Sequence, residues 1–259
     1  MSMRKQMIRV ATLLAAIGLI SAAGAVAKPE VFEVGNLFLR DNGGIAPTTL
    51  PKHGQAPVSA HFVDQIGTDD GSHPPAFESL IADFDKGIHV NAKGLPVCAK
   101  SQLVARTTAA AEKACPGALV GSGHAAVEVA FSEQTPFTAT GSVLLFNGGV
   151  HGATTVLYIH SYISVPAPTA VVATAMVTRI HDGHYGLHVV AQIPPIAGGA
   201  GSVTKFKLTI DRKFPYKGKQ QSYLTAGCAT GSYYAEGKVR FSDATLLHVT
   251  HIFPCTPKG

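Results

Sequence analysis

The chain has no tryptophan and only four cysteines, and charged side chains occupy just 14% of its 259 positions. The missing tryptophan argues against an indole platform for sugar rings, although seven tyrosines are present. No two cysteines form a CxxC pair, so a four-cysteine zinc site has no sequence support. HExxH, GxSxG, GxGxxG, the P-loop lysine pattern and the zinc-deaminase signature are also missing. These gaps weaken the case for an enzyme without eliminating it and point to no cofactor, while a site assembled only in space stays open. Beyond one apolar run near the start, no stretch resembles a membrane span.

That run lies at 10–20, behind Arg4, Lys5 and Arg9, and Ala25-Val26-Ala27 then supplies the small-x-small pattern read by a signal peptidase. Residues 1–27 are expected to be a signal peptide and residues 28–259 a single mainly β domain. A retained anchor is the competing reading, for which the run is short. Losing the three basic residues brings the formal charge from +5 to +2, too little to point to nucleic acid. Export places Cys98, Cys115, Cys228 and Cys255 in an oxidising compartment. Three pairings are open. The local one, Cys98–Cys115 with Cys228–Cys255, is expected because each bond closes a short segment between neighbouring elements.

Low charge with 27 glycines and 16 prolines suits a turn-rich β protein. The clearest local signal is at 169–195, where Asp182-Gly183 is a dipeptide favoured in two-residue hairpin turns and its flanks alternate with period two. Centring the turn there sets His181 opposite His184, Thr178 opposite Leu187 and Met176 opposite Val189. One face then holds Val172, Met176, Ile180, Tyr185, Leu187, Val189 and Ile193; the other holds Arg179, His181, His184, His188 and Gln192.

The same alternation recurs at 138–146 and at 202–212, where Phe206, Leu208 and Ile210 oppose Lys205 and Lys207. It returns at 233–241 and at 245–253, where Leu247, Val249 and Phe253 share a side. At 154–165 both faces carry large residues, which predicts a strand packed on two sides, with His160 as a hydrogen-bonded half-buried residue. One helix is expected within 101–115, capped by Ser101, Thr107 or Thr108 and stopped by Pro116-Gly117. With a cysteine at each end it reads as a clipped insertion beside the sheet. One-sided strands need a second layer. The expected fold is therefore an antiparallel β-sandwich with a short disulfide-clipped helical insertion; a closed β-barrel is the alternative.

Twelve histidines make metal worth considering. His181 and His184, facing across the turn, are the candidate pair of nitrogen ligands, but His188 is too far along the strand to complete a site. Asp83 and Asp85 would share a strand face, without the twelve-residue calcium loop around them. Lys205, Lys207, Arg212, Lys213, Lys217 and Lys219, with Tyr216 and Tyr223 nearby, gather positive charge suited to an acidic polysaccharide or anionic envelope surface; a solvated strand and turn is the plainer account.

The succession Gly94-Leu95-Pro96-Val97-Cys98, the Thr/Ala-rich segment to Cys115, and Ser202-Val203-Thr204-Lys205-Phe206 followed by Tyr216-Lys217-Gly218-Lys219 and Ser222-Tyr223-Leu224 resembles uncharacterised secreted proteins of soil actinobacteria over most of the mature chain. The resemblance implies export and a shared β scaffold, and no activity. The functional expectation is a secreted, non-catalytic binding or structural protein of the cell envelope or extracellular space, its ligand unidentified. A small apolar-ligand carrier would require an enclosed cavity, and a secreted metal-dependent or hydrolytic enzyme would require convergent polar side chains in a cleft.

Overall fold

The computed structural model describes residues 29–165 and 167–259; the expected signal peptide lies outside the described residues. Twelve strands follow the chain as β1 (Glu30–Val34), β2 (Leu37–Asp41), β3 (Ser59–Thr68), β4 (Phe77–Asp85), β5 (Leu119–Val129), β6 (Phe137–His151), β7 (Thr154–Ile163), β8 (Thr169–Asp182), β9 (Tyr185–Gln192), β10 (Gly201–Ile210), β11 (Ser232–Phe241) and β12 (Leu246–Pro254). They form one antiparallel sheet in the order β1-β2-β3-β10-β5-β6-β7-β8-β9-β4-β11-β12, with the short strand Gly44–Ala46 added beside β3. The mainly β antiparallel class expected from the sequence is what the chain adopts. The two layers are one sheet curled nearly into a barrel, whose edge strands β1 and β12 approach through side chains: His251 of β12 reaches Glu30 of β1 and lies edge-on to Phe32.

The curl follows from the alternation. Leu145, Leu157, Ala175, Val177, Leu187, Ala191, Leu208 and Ile210, from the five strands β6 to β10, belong to one buried cluster. Closely spaced walls need small residues in places. A Cβ on Gly123 of β5 would collide with the Lys207 carbonyl of β10, so glycine is what lets these strands pair there.

One end of the barrel is stoppered. Leu50, Phe214, Tyr223, Leu224 and Ala226, from segments outside the main sheet, are buried in the same cluster as the strands. Cys228–Cys255 ties this stopper to the end of β12. These side chains pack against the inward faces of the strands at this end.

Cys98–Cys115 clips the helical insertion. The helix α1 (Thr108–Ala114) is capped by Thr107, whose hydroxyl accepts from the Ala110 N–H at 3.3 Å. Its Ala111, with Leu103 and both cysteines, packs on Leu144, Phe146 and Val172, which point outward from β6 and β8. This outer cluster explains why β6 and β7 carry large residues on both faces. His160, on the outer side of β7, is fully buried beneath the insertion, its Nε2 3.0 Å from the Arg106 carbonyl.

The central hairpin forms, but in a different register. Asp182 pairs with Tyr185, so the turn residues are Gly183 and His184, with Gly183 at φ 55°. Beyond an irregularity between Arg179 and Asp182, Arg179 pairs with Leu187 and Val177 with Val189. A slip of one residue exchanges the faces of a strand. Ala173, Ala175 and Val177 therefore face the core, while Met176 is 42% exposed. β9 keeps its expected inward face of Leu187, Val189 and Ala191. β6 also runs on beyond the 138–146 alternation, to His151. Asn147 there is fully buried, donating to the Pro96 carbonyl at 2.9 Å and accepting from the Gly149 N–H at 3.1 Å.

Because the insertion sits outside the wall, opening its bond should cost stability without opening the barrel. Replacing Cys98 and Cys115 together by alanine is expected to lower unfolding free energy by about 3 kcal/mol. Hydrogen exchange should remain slow in β8 and β9; loss of protection there would show that the insertion is integral to the barrel.

Candidate functional site

The expected histidine pair is not assembled. With the turn at Gly183-His184, His181 falls in the irregular stretch of β8 and has lost its cross-strand partner, while the exposed His184 ring packs on Tyr234 at 4.5 Å. Among the described residues no group of three or more His, Cys, Asp or Glu side chains is disposed to hold a metal ion. Asp83 and Asp85 separate as well. Asp83 Oδ1 lies 2.7 Å from His188 Nδ1 on the outer wall, whereas buried Asp85 accepts the Gly87 N–H at 2.7 Å and the Tyr234 N–H at 3.3 Å.

The six basic residues divide into two places. Lys205 and Lys207 are exposed on the outer face of β10. Lys213, Lys217 and Lys219 lie on the hairpin of Lys213–Tyr216 and Lys219–Ser222, where Lys217 Nζ stands 5.7 Å from the Tyr216 ring centre. Arg212 does not join the surface charge: it is half-buried and its Nη2 donates to the Gly117 carbonyl at 3.4 Å. The sheet register supplies other neighbours. Arg40 pairs with Gln65 and Gln65 with Lys205, while Lys207 pairs with His124. Arg40, Gln65, His124, Lys205 and Lys207 are all exposed. Among the described residues, none of these cations is ion-paired.

Two polar constellations were not anticipated. On the outer wall, His73 Nδ1 is 2.7 Å from Glu128 Oε1 and its Nε2 is 3.1 Å from Ser202 Oγ. These are the contacts of a serine, base and carboxylate chain. Ser202, however, is 1% exposed, and its hydroxyl donates to the Pro74 carbonyl at 2.5 Å. A serine has one proton to give, and here it goes to a backbone oxygen beneath a covering loop. The three side chains fasten residues 68–76 to the wall, and the nucleophile is sealed. No local motif announces residues at 73, 128 and 202, since the sheet alone brings them together.

The second constellation lies inside, at the seam. Nδ1 of His251 is 3.2 Å from Glu30 Oε2, and its Nε2 is 2.7 Å from Asp41 Oδ2, an ion contact out of hydrogen-bond alignment. Asp41 pairs across the sheet with Asp64. Burial is the main cause that pushes Asp64 up to about 8, and the neighbouring Asp41 carboxylate adds to it. For His251, burial alone would lower the pKa, but the Asp41 contact and the Glu30 charge outweigh it, and the net direction is upward. Its signal in sequence is parity: in β12 the inward series Leu247, Val249, Phe253 includes position 251.

Compared with protein-family models, curated proteins and solved structures, the chain matches none. The residues themselves must therefore carry the functional reading. Two disulfides are compatible with a non-cytoplasmic compartment. No helix among the described residues is long and apolar enough to cross a membrane.

Proton sharing at the seam makes stability depend on pH in an unusual direction for a carboxylate. Asp64 binds its proton more tightly when folded, so its contribution is full below the ordinary value of 3.8 and is lost as pH rises through about 8. His251, also raised, loses its contribution on the same side. Thermal melts should fall between about pH 5 and about pH 9. Asp64→Asn, which keeps a neutral hydrogen-bonding group there, should flatten that fall and melt higher at the alkaline end. A wild-type melting temperature that climbs across this range would refute the assignment.

Proposed function

We propose that this is an exported, non-catalytic binding protein that engages an acidic polysaccharide of the cell envelope or extracellular space through the outer wall of β2, β3, β10 and β5. The observation that carries this reading is the unpaired positive charge set across that wall by the sheet register: Arg40, Lys205, Lys207 and the neighbouring imidazole of His124. Side chains on a paired sheet are held at strand spacing, so a polyanion meets a fixed array instead of flexible loops. Gln65, between Arg40 and Lys205, adds an amide that can bond a sugar hydroxyl. Export is supported by the leader-like start of the sequence and the two disulfides.

The non-catalytic part of the reading rests on Ser202. It is the residue placed most like a nucleophile, and its hydroxyl is both covered and already bonded to a carbonyl. The outer wall offers charge without a recess in which a reacting group is held, which suits recognition of a polymer surface better than turnover.

Titration with polygalacturonate at low ionic strength should give binding that weakens steeply with salt, since exposed charges are screened over about 8 Å at physiological ionic strength. Lys205→Glu with Lys207→Glu should weaken it about tenfold or more while leaving the melting temperature nearly unchanged. Equal binding by this variant and the wild type, or binding indifferent to salt, would overturn the proposal.

A further inference from the structure

We propose that a recess at the stoppered end of the barrel binds a small amphipathic carboxylate of the medium-chain fatty-acid class, with its chain on the barrel core and its carboxylate between Arg179 and Lys93. This site is separate from the basic outer wall and does not depend on the polysaccharide reading.

The recess has a volume of about 350 Å³ and lies between residues 90–93, the turn after β6, and Val177, Arg179 and Leu187 of β8 and β9. Its most buried lining residues, Val177 and Leu187, are 7% and 5% exposed and belong to the main core. Val90 and Ala92 from the stopper, and Val150 from β6, form apolar walls. Val150 is 57% exposed, a large apolar side chain with an uncovered face beside this hollow. Its volume lies toward the small end of the range for ligand sites, about 300 to 1,000 Å³.

The charge at the rim selects the head group. Arg179 and Lys93 both line the recess, both are exposed, and no carboxylate lines it with them. Among the described residues neither cation is ion-paired. Arg179 owes its place to the register of the hairpin. Pairing with Leu187 gives it the inward parity of Ala175 and Val177, but it lies past the end of the apolar core. As an exposed residue lining the recess, it offers a guanidinium that can bind a carboxylate through two parallel hydrogen bonds. An inorganic anion would satisfy the rim and leave the apolar floor wet, and a neutral hydrocarbon would do the reverse. A carboxylate with an apolar tail answers both parts, and Asn91 and Thr155 add polar groups at the margin.

The test is a titration of the full chain with octanoate, 1-octanol and inorganic phosphate, followed by backbone amide shifts. Octanoate should move the amides of residues 90–93, 150–155, 177–179 and 187 and bind about tenfold more tightly than 1-octanol, with phosphate weaker still. Arg179→Gln with Lys93→Gln changes two exposed residues. It should reduce octanoate to the affinity of 1-octanol while leaving 1-octanol and polygalacturonate binding as they were. Val150→Asp, also at an exposed position, should abolish binding of both octyl compounds. Octanoate shifts that map elsewhere, no shifts at millimolar concentration, or undiminished octanoate binding by the double variant would each overturn the proposal. Retained polygalacturonate binding in that variant keeps this result distinct from failure of the wall.

Discussion

Strands whose apolar residues fall mainly on one face leave a broad apolar surface that has to be taken out of water, and the sheet does so by curling until that surface meets itself. The other main features follow from this constraint. A curled sheet has open ends, so one end needs a stopper, and Leu50, Phe214, Tyr223 and Leu224 supply it from outside the main sheet. A stopper made of short strands has little core of its own. Cys228–Cys255 and the pairing of Leu224–Ala226 with Ile88–Val90 hold it in place. The disulfide-clipped insertion answers a different need, covering Leu144, Phe146 and Val172 where the outer wall is apolar as well.

Closure leaves a seam, and unpaired strand edges are liable to recruit other strands. Here the edges are brought together by side chains with both apolar and ionic character. The His251 ring stacks on Phe253 and meets Phe32 edge-on while lying between Glu30 and Asp41. Asp41 touches the imidazole on one side and neighbours Asp64 on the other, and the two acids would repel if both were ionised away from water. The upward shifts of Asp64 and His251 resolve this conflict, because added protons reduce the negative charge between β2, β3 and β12. The seam is thus held at the cost of a stability that depends on proton concentration.

Much of the fold was legible because alternation reports directly which side of a strand is wet. The inward face of β10, the outward Lys205 and Lys207, and the clipped helix are all readable from spacing. Register is harder. The Asp182-Gly183 pair is a strong turn signal, but the same glycine serves equally well one place earlier in a turn, at Gly183-His184. That shift of the turn, with an irregular stretch before Arg179, exchanges the faces of β8. It brings Val177 inward, leaves Met176 exposed and removes the pairing on which a His181 and His184 metal site depended. Contacts between distant strands were less legible still. Nothing in the local sequence joins Asp41 to Asp64 or His73 to Glu128 and Ser202, because those pairings depend on strand order, which alternation does not encode.

Exposure decides which polar groups of the barrel can meet a ligand. Ser202, His73 and Glu128 have distances that suit proton transfer, yet the reacting hydroxyl has neither access nor a free proton, so distance without exposure describes a fastening. The opposite condition holds on the outer wall and at the mouth. Lys205, Lys207 and Arg179 are exposed cations without carboxylate partners among the described residues, which leaves them open to an anion from outside. Exposed charges of this kind contribute little to folding. What separates the two places is the surface beside the charge: paired polar strands on the wall, suited to a long hydrated anion, and apolar core at the mouth, suited to an anion with a tail.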